Sequence, residues 1–397
     1  MKIYYFSIYD ILRARTNQIA DLRLCEGFTQ NGCEVELIVP YVYREGNIHR
    51  DAVFETYGIE TGYGVRILRT PFWEGMPAFL NIPLVYVYAF FTMLGILVSN
   101  RRDLSRVVLM SRSIDMLIPG ILLKKLLRLR KGPLVVVWAH EIIFKKRYLW
   151  VYCNSDAVVG TNSVITEDLN AKVGIDNDRM EISLNPVSDH QLRNVLDRDA
   201  ARRRLGLHVD RPLIVYTGKL YIGMNEAEYI LQASALLPDY QFLLTGGKPR
   251  VIEHFRRECE QRGLHNVMFT GFLDTYEEVR HYQAAADVLV SYYSASDHLV
   301  RYNLPNKICE YMIAGKPIVS SDFPATRDVL SSSNAILVPA EKPESLAAGI
   351  REAVSDRRRS DELARRALQD VAGMTYLKRA NVLKDFFEKV MRRIEAP

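Results

Sequence analysis

The sequence predicts an α/β protein made of two parallel sheets, each wrapped by helices on both faces. Short β-branched or aromatic runs alternate with helical patterns along the chain, and this alternation begins again after the charged segment 197–204. The 397 residues favour two domains, each large enough for its own core. Ligands bind such sheets at the carboxyl ends of the strands, so we expect the binding residues there, in a cleft between two lobes.

The elements follow from the local patterns in chain order. The first half has predicted strands at 2–8, 34–40, 65–70, 107–110, 134–138, 157–159 and 181–184, and predicted helices at 16–30, 114–129 and 163–171. The second half has predicted strands at 213–216, 240–245, 267–270, 288–292 and 317–320, and predicted helices at 226–237, 251–262, 276–285 and through 310–314. We therefore place the first domain at 1–205 and the second at 206–372.

Composition excludes several classes of protein. With 48% hydrophobic and 25% charged residues, the chain is neither disordered nor collagen-like. Five scattered cysteines without a CxxC pair favour reduced thiols in the cytoplasm over a disulfide scaffold or a zinc site. The first strand is not followed by GxGxxG, and no P-loop motif occurs. We expect a cytoplasmic protein that holds no metal.

The net charge of +5 is unevenly distributed. Residues 101–131 carry nine basic and two acidic side chains, whereas residues 75–100 carry no charge. A basic amphipathic helix beside an apolar one is typical of a surface that rests on anionic lipid. We therefore hypothesise peripheral association with the inner face of the plasma membrane through 78–131; a buried helix with a solvated basic face is the alternative. Without a recognition motif or aligned aromatic residues, nucleic acid is not an expected partner.

The segment 303–319 is the most informative one. Pro305 belongs in the first turn of a helix, and Gly315 followed by Pro317 marks the end of that helix and the start of a strand. The amino terminus of a helix offers free N–H groups and a positive dipole to a diphosphate. Glu310 lies where a carboxylate could bind both hydroxyls of a ribose. The alternative is that Glu310 is an exposed acid and Asn303 a simple helix cap.

This segment resembles the donor-binding helix of the retaining glycosyltransferases of the GT-B fold, family 4. The similarity extends over about residues 213 to 320 and includes 216–220, 245–247, 269–272 and 286–290, in the order and spacing of that family. The resemblance implies two Rossmann-like domains facing a cleft. The first would bind the acceptor and the second the nucleotide-sugar donor, and the helix in 373–397 would cross back to the first domain.

The resemblance also implies roles for individual residues. Lys219 stands where the family has a basic residue that contacts the phosphates of the donor, and the loop 270–272 stands where the backbone contacts the base. Glycines at 246 and 247 allow the chain to approach the nucleotide closely. The donor-binding residues expected on this basis are Gly218, Gly246, Gly247, Thr270, Gly271, Phe272, Arg301, Tyr302, Asn303, Leu304, Pro305 and Lys307.

Two positions depart from the family pattern. Tyr302 replaces a glutamate that contacts the donor sugar, and Met224 with Asn225 replaces a second basic residue and its neighbour. Arg301 and Lys307 could supply the missing positive charge, because phosphate requires cations without requiring a particular backbone position.

On the acceptor side, the strand at 134–138 ends near His140 and Glu141. An imidazole there can bind a sugar hydroxyl or carry a proton, although a single histidine after a strand is often structural. The resemblance favours a sugar-contacting pair. We assign catalytic roles to His140, Lys219 and Glu310, and acceptor-side positions to Asp10, Thr16 and Glu141.

The expected activity is transfer of a sugar from a nucleotide-diphosphate sugar to a saccharide or lipid-linked acceptor, for cell-surface polysaccharide or glycolipid synthesis. By resemblance, the reaction retains configuration and needs neither a metal nor another cofactor. Two alternatives remain open: a nucleotide-sugar epimerase of the same fold, and a non-catalytic partner subunit, which Tyr302 and Met224 suggest.

Overall fold

The computed structural model describes residues 1–8, 16–40, 54–55, 58–68, 78–129, 131–208, 210–294, 301–302 and 304–396. The chain divides into two compact units. The first comprises Met1–Pro186 and Thr375–Pro397, and the second comprises Val187–Met374. All five cysteines are free thiols.

The first unit contains seven strands and six helices within the described residues. Its strands are β1 (Lys2–Phe6), β2 (Glu34–Pro40), β3 (Gly64–Leu68), β4 (Val107–Ser111), β5 (Leu134–Ala139), β6 (Ala157–Gly160) and β7 (Met180–Ile182). Its helices are α1 (Thr16–Gln30), α2 (Ala78–Ser99), α3 (Ile118–Leu126), α4 (Lys146–Asn154), α5 (Ser163–Val173) and the carboxyl-terminal helix (Tyr376–Glu395).

The seven strands form one parallel sheet in the order β3-β2-β1-β4-β5-β6-β7. Strands β4, β5 and β6 are buried along their whole length, as parallel strands covered on both faces must be. The strand order reverses between β1 and β4, so the loops after these two strands diverge and leave a crevice at the carboxyl ends.

Helices cover both faces of this sheet. On one face, α1 and the carboxyl-terminal helix pack together, and Phe28 and Phe387 are fully buried there. A Cβ on Gly27 would lie 2.7 Å from the Tyr376 carbonyl oxygen, so glycine permits this close contact. On the other face, α2 and α3 pack through Met93, Ile96 and Leu123. The predicted return of the carboxyl-terminal helix to the first domain is thus observed.

The second unit contains six strands and eight helices within the described residues. Its strands are β8 (Leu213–Thr217), β9 (Gln241–Thr245), β10 (Val267–Gly271), β11 (Val288–Ser291), β12 (Ile318–Ser321) and β13 (Ile336–Val338). Its helices are α6 (Asp189–Arg193), α7 (Arg198–Leu205), α8 (Asn225–Ala235), α9 (Pro249–Gln261), α10 (Tyr276–Ala285), α11 (Asn306–Ala314), α12 (Pro343–Ser355) and α13 (Arg357–Val371). The carboxyl-terminal helix of the first unit is α14.

The six strands form a second parallel sheet in the order β10-β9-β8-β11-β12-β13. Here the order reverses between β8 and β11, which places a second crevice at the carboxyl ends of these strands. The predicted fold class, two doubly wound parallel sheets, is confirmed.

The division between the units lies at Pro186, whereas the sequence placed the domain boundary at 205/206. The difference comes from α7, which packs on α10. Arg198 and Arg202 on α7 bind the Asp287 carboxylate at 2.9 and 2.8 Å, so this charged helix belongs to the second sheet. In the sequence it resembles an exposed linker because its anionic partner is more than eighty residues away.

Candidate functional site

Three predicted glycines meet at the carboxyl end of the second sheet. Gly218 follows β8, Gly246 follows β9 and Gly271 ends β10. The Gly246 N–H donates a hydrogen bond of 2.7 Å to the Gly271 carbonyl oxygen. A Cβ on Gly246 would lie only 1.8 Å from the Gly218 carbonyl oxygen, and its φ of 102° also disfavours a side chain. We call Gly218, Gly246 and Gly271 the glycine cluster.

The flanking predicted residues extend this cluster. Gly247 has a φ of 86°, and a Cβ there would lie 3.0 Å from Ile252 Cδ1. The Thr270 hydroxyl donates to the Gly271 carbonyl oxygen at 2.9 Å. Phe272 is 74% exposed, so its ring is accessible to a ligand.

Helix α11 is fixed against the same edge of the sheet by Tyr311. The Thr217 N–H donates to the Tyr311 hydroxyl oxygen at 2.8 Å, and that hydroxyl lies 3.3 Å from the Val290 carbonyl oxygen. These contacts join α11 to the ends of β8 and β11. Pro305 immediately precedes the helix and Leu304 is buried, so the chain enters α11 in a defined position.

Lys307, in the first turn of α11, lies beside the glycine cluster. Its Nζ is 3.9 Å from the centre of the Tyr216 ring and 5.3 Å from that of Tyr293. A Cβ on Gly218 would lie 2.6 Å from this Nζ. Burial lowers the pKa of Lys307 to about 7, although Glu226 and Glu310 favour the charged form.

Glu310 lies one turn further along α11 and is partly buried rather than exposed. Gln283 Nε2 donates to Glu310 Oε2 at 3.1 Å and to the Thr217 hydroxyl at 3.1 Å. The Tyr276 hydroxyl also binds this carboxylate. Burial raises the pKa of Glu310, and these hydrogen bonds oppose that rise. Its placement contradicts the alternative that Glu310 is an exposed helix acid.

Two further residues that were predicted to bind the donor lie at the surface. Lys219 and Arg301 are exposed, and the Arg301 guanidinium lies 5.9 Å from the centre of the partly buried Tyr302 ring. Met224 is 6% exposed and belongs to the hydrophobic core, so this departure from the family pattern has a packing role. Asn303 lies outside the described residues.

In the first unit, His140 lies next to a buried ion pair. Arg112 follows β4, and its Nε donates to His140 Nε2 at 2.8 Å. Arg112 Nη1 binds Asp21 Oδ1 of α1 at 3.1 Å. Asp21 also accepts from the Tyr5 hydroxyl at 2.8 Å and from the Ser7 hydroxyl at 3.1 Å. The crevice between β1 and β4 is thus lined by a polar network.

This network sets the protonation of its members. Burial and the Arg112 charge hold the pKa of His140 well below its ordinary range. Burial raises the pKa of Asp21, opposed by Arg112 and by the hydroxyl groups. The His140 ring also stacks on Trp138, with 5.6 Å between ring centres. Glu141 is exposed, Asp10 lies outside the described residues, and of Thr16 only the backbone is described.

Sequence reasoning missed Asp21, Arg112, Gln283 and Glu226. Arg112 could have been recognised from the sequence, because it follows closely on a predicted strand, at the edge of the sheet where ligands bind. Asp21 carries no such signal because it is an ordinary helical acid until the fold buries it. Among the described residues, no group of three or more His, Cys, Asp or Glu side chains is placed to hold a metal ion.

Comparison with known proteins is most specific in the second unit. Residues 211–356 match the family model described as "Glycosyl transferases group 1". A D-inositol 3-phosphate glycosyltransferase of Xylanimonas cellulosilytica is 27% identical over 204 residues, 49% of this chain and 47% of that protein. The chain therefore spans about half the length of this curated relative.

Solved structures are similar over the whole chain. Sucrose-phosphate synthase of Thermosynechococcus elongatus has a TM-score of 0.71 at 17% identity and covers 99% of each chain. Anabaena HepE in complex with UDP has a TM-score of 0.71 at 15% identity, covering 97% of this chain and 99% of HepE. The chain thus has the GT-B fold, and its residues 211–356 are similar to the group 1 glycosyl transferases.

Proposed function

We propose that this protein transfers a sugar from a nucleotide-diphosphate sugar to a hydroxyl group of an acceptor. The observation that carries the proposal is the position of Lys307 beside the glycine cluster, at the point where the strand order of the second sheet reverses. The matched group 1 region contains this site, and HepE structures with UDP and UDP-glucose make a UDP-sugar the first donor to test.

Each part of the donor would have its own contact. The glycine cluster leaves backbone exposed where the diphosphate would lie. The ammonium groups of Lys219 and Lys307 would neutralise its charge, together with the amino terminus of α11. The Glu310 carboxylate would accept hydrogen bonds from the ribose hydroxyls, and Gln283 holds that carboxylate in place.

The transfer breaks the bond between the anomeric carbon and the diphosphate oxygen and forms a bond to the acceptor oxygen. The hydroxyl proton passes to the departing phosphate, and the new bond forms on the face that the diphosphate leaves, so configuration is retained. The protein's contribution is electrostatic stabilisation of the leaving diphosphate by its own cations, which needs no metal ion. His140 would bind an acceptor hydroxyl, and the product would enter a cell-surface polysaccharide or glycolipid.

The transfer assay that tests this proposal uses the full-length chain, a UDP-sugar panel and mixed saccharide acceptors, with and without EDTA. We expect acceptor-dependent release of UDP that EDTA leaves unchanged and that Lys219→Ala and Glu310→Ala each reduce at least a hundredfold. Lys389→Ala and Glu362→Ala, at exposed positions on α14 and α13, are the matched controls. Undiminished transfer in both site variants would refute the site. Sugar interconversion without an acceptor would identify an epimerase, and no turnover of any donor would support a non-catalytic subunit.

We also propose that α2 and α3 rest on an anionic membrane surface. Their exposed apolar side chains are Val87, Phe91, Val98, Leu122 and Leu126. Exposed basic residues adjoin them, including Arg101, Arg102, Arg128 and Lys131. This geometry supports a peripheral contact in which apolar side chains enter the interface and basic ones meet lipid phosphates. Among the described residues, no helix is long and apolar enough to cross a bilayer.

Two of the basic residues that the sequence placed on this surface, Lys124 and Lys125, form contacts within the protein. Lys124, which the sequence placed there, forms a 2.7 Å ion pair with Asp156 and is only 15% exposed. Lys125 binds the Asn154 side chain and lies 5.1 Å from the Trp150 ring centre. In a flotation assay with anionic vesicles, we expect the wild type to float and a Phe91→Ser, Leu126→Ser double variant to stay at the bottom. Recovery of the wild type only in the soluble fraction would refute the membrane proposal.

A further inference from the structure

The hydrogen bonds between Arg112 and His140 determine where the imidazole carries its proton. A guanidinium group only donates hydrogen bonds, so the ring nitrogen that it binds must have a free lone pair. Arg112 Nε lies 2.8 Å and Nη2 lies 2.5 Å from His140 Nε2, whereas Nη2 lies 3.3 Å from Nδ1. Nε2 is therefore the acceptor, and the proton of the neutral ring is on Nδ1.

The guanidinium group is itself held in place. Arg112 is 8% exposed and Asp21 is 2% exposed, and the two side chains form an ion pair of 3.1 Å. The Tyr5 and Ser7 hydroxyls donate to the same carboxylate. The Arg112 guanidinium also lies 5.6 Å from the centre of the Trp138 ring, on which His140 stacks. The planar guanidinium group of Arg112 thus contacts Asp21, Trp138 and His140 at the same time, which the single ammonium group of a lysine could not do.

We infer that Arg112 is a positioning residue that holds His140 in the neutral form protonated on Nδ1, so that His140 donates a hydrogen bond to its substrate and takes up no proton. The assignment of the proton to Nδ1 follows from the contacts of Arg112 with His140 and Asp21. Only the statement about the substrate rests on the proposed sugar transfer. The consequence for that reaction is that the acceptor proton goes to the leaving phosphate and not to the imidazole.

The charges around His140 agree with this inference. Protonation of Nε2 would remove the acceptor for Arg112 and place two cations in contact. The Asp21 carboxylate lies on the far side of Arg112 and is already bonded to Arg112, Tyr5 and Ser7. Glu141, the neighbouring acid, is exposed to solvent, which screens its charge. Among the described residues, no carboxylate forms a hydrogen bond or an ion pair with the ring, so a histidinium would lack an anion in contact with it.

The direct test is the ¹⁵N chemical shift of the His140 ring nitrogens in the full-length protein, measured from about pH 5 to pH 8. The variant His140→Gln identifies the signals. We expect one set of shifts with the proton on Nδ1 and no titration in this range. A His140 that titrates near pH 6.5, or that carries its proton on Nε2, would overturn the inference.

Two variants of Arg112 separate positioning from general destabilisation. In Arg112→Gln, the pKa of His140 should rise but stay below the ordinary value of histidine, because burial still lowers it. In Arg112→Lys, which keeps the charge but loses the planar guanidinium group, the proton should distribute over both nitrogens. Arg66→Gln, which removes an exposed pair with Glu36, is the control and should leave the His140 shifts unchanged. If Arg112→Gln does not fold, Arg112→Lys and the wild-type shifts still decide the question. Unchanged His140 shifts in Arg112→Lys would contradict the inference.

The dependence of kcat/KM on pH tests the role of His140 separately from the proposed sugar transfer. The profile of kcat/KM against pH should show no inflection that His140→Gln removes, although that variant should lower kcat at least tenfold. An inflection that disappears in His140→Gln would identify His140 as a proton carrier and overturn the inference. Absence of any transfer with the predicted ring shifts intact would overturn the proposed function alone.

Discussion

The Lys307 ammonium nitrogen lies 3.9 Å from the centre of the Tyr216 ring, and the Lys307 side chain is partly buried. The ring face attracts a cation, but the loss of water outweighs this attraction and lowers the pKa of Lys307 to about 7. A diphosphate placed beside Gly218 would add to the negative charge of Glu226 and Glu310 and favour the charged form of Lys307.

Binding of UDP should depend on pH through Lys307. Above about pH 7, Lys307 in the free protein loses its proton, so binding of the diphosphate must also take up a proton. We expect the affinity for UDP to fall by up to about tenfold per pH unit above pH 7, measured by calorimetry in buffers of different ionisation enthalpy. Lys307→Met should bind weakly without this slope. A wild-type affinity that stays constant from pH 7 to pH 9 would contradict the assignment.

The Lys307 side chain should also make the free energy of unfolding depend on pH. The ordinary pKa of 10.5 falls to about 7 on folding, so the unfolded chain binds more protons between these values. The free energy of unfolding of the wild type should therefore gain a contribution from Lys307 as pH rises through this window. Urea titrations of wild type and Lys307→Met should show Lys307→Met relatively more stable near pH 7, with the advantage decreasing toward pH 10. An advantage that grows with pH would show that the charged form is stabilised by folding.

Gly246→Ala should disturb the glycine cluster itself. The added Cβ would lie 1.8 Å from the Gly218 carbonyl oxygen, so the loops after β8 and β9 must separate. We expect a loss of about 1–3 kcal/mol in stability and at least a tenfold loss in UDP affinity. Gly263→Ala is the control, because its φ of 65° is also positive but no atom lies within 4 Å of the added Cβ. Equal UDP affinities for the two variants would argue against the cluster as a binding site.

The fold could be predicted from sequence because it follows from local patterns, whereas the residues of the glycine cluster were expected from the resemblance to the glycosyltransferase family. Alternating strands and helices define the two sheets, and Gly218, Gly246 and Gly271 each follow or end a strand. The network of Asp21, Arg112 and His140 could not be predicted in the same way. Asp21 and Arg112 are 91 residues apart, and each is an ordinary charged residue until burial makes the pair necessary. The ion pair of Lys124 with Asp156 was not predicted either, because the two residues are 32 positions apart in the sequence.

Asp287→Asn should destabilise the second unit. The Asp287 carboxylate binds Arg198, Arg202 and the Leu213 N–H, and these partners lower its pKa below 3.8 against the effect of burial. We expect a loss of about 3 kcal/mol at neutral pH, because two partly buried cations lose their anion. Since the folded-state pKa is lowered, this contribution is present above about pH 4 and disappears as pH falls through the folded value.

Urea unfolding at pH 7 and at low pH would measure this effect. Asp199→Asn is the matched control, because Asp199 pairs with Arg198 but is 62% exposed, and it should change stability by less than about 0.5 kcal/mol. Equal costs for the two substitutions would contradict a structural role for the buried pair.

Phe387→Ala should weaken the attachment of α14 to the first unit. Phe387 is fully buried, and its ring centre lies 6.0 Å from that of Phe28 on α1. We expect a loss of about 3–5 kcal/mol, measured by thermal or urea unfolding. Val382→Ala, at a 42% exposed position on the same helix, should change stability by less than about 0.5 kcal/mol. Deletion of all residues after Asp370 should have a larger effect than Phe387→Ala, and a truncated protein with unchanged melting would contradict this packing.

We propose that the glycine cluster and Lys307 hold the diphosphate of a nucleotide. Calorimetric titration of the full-length wild type with UDP at neutral pH tests it most directly, with GDP, ADP and dTDP as comparisons. We predict one-to-one binding of UDP that Lys307→Met weakens about tenfold to a hundredfold, as expected for a lost charge-assisted hydrogen bond, and that Lys389→Ala leaves unchanged. Equal affinity of wild type and Lys307→Met, or no binding of any of the four nucleotides, would contradict the account.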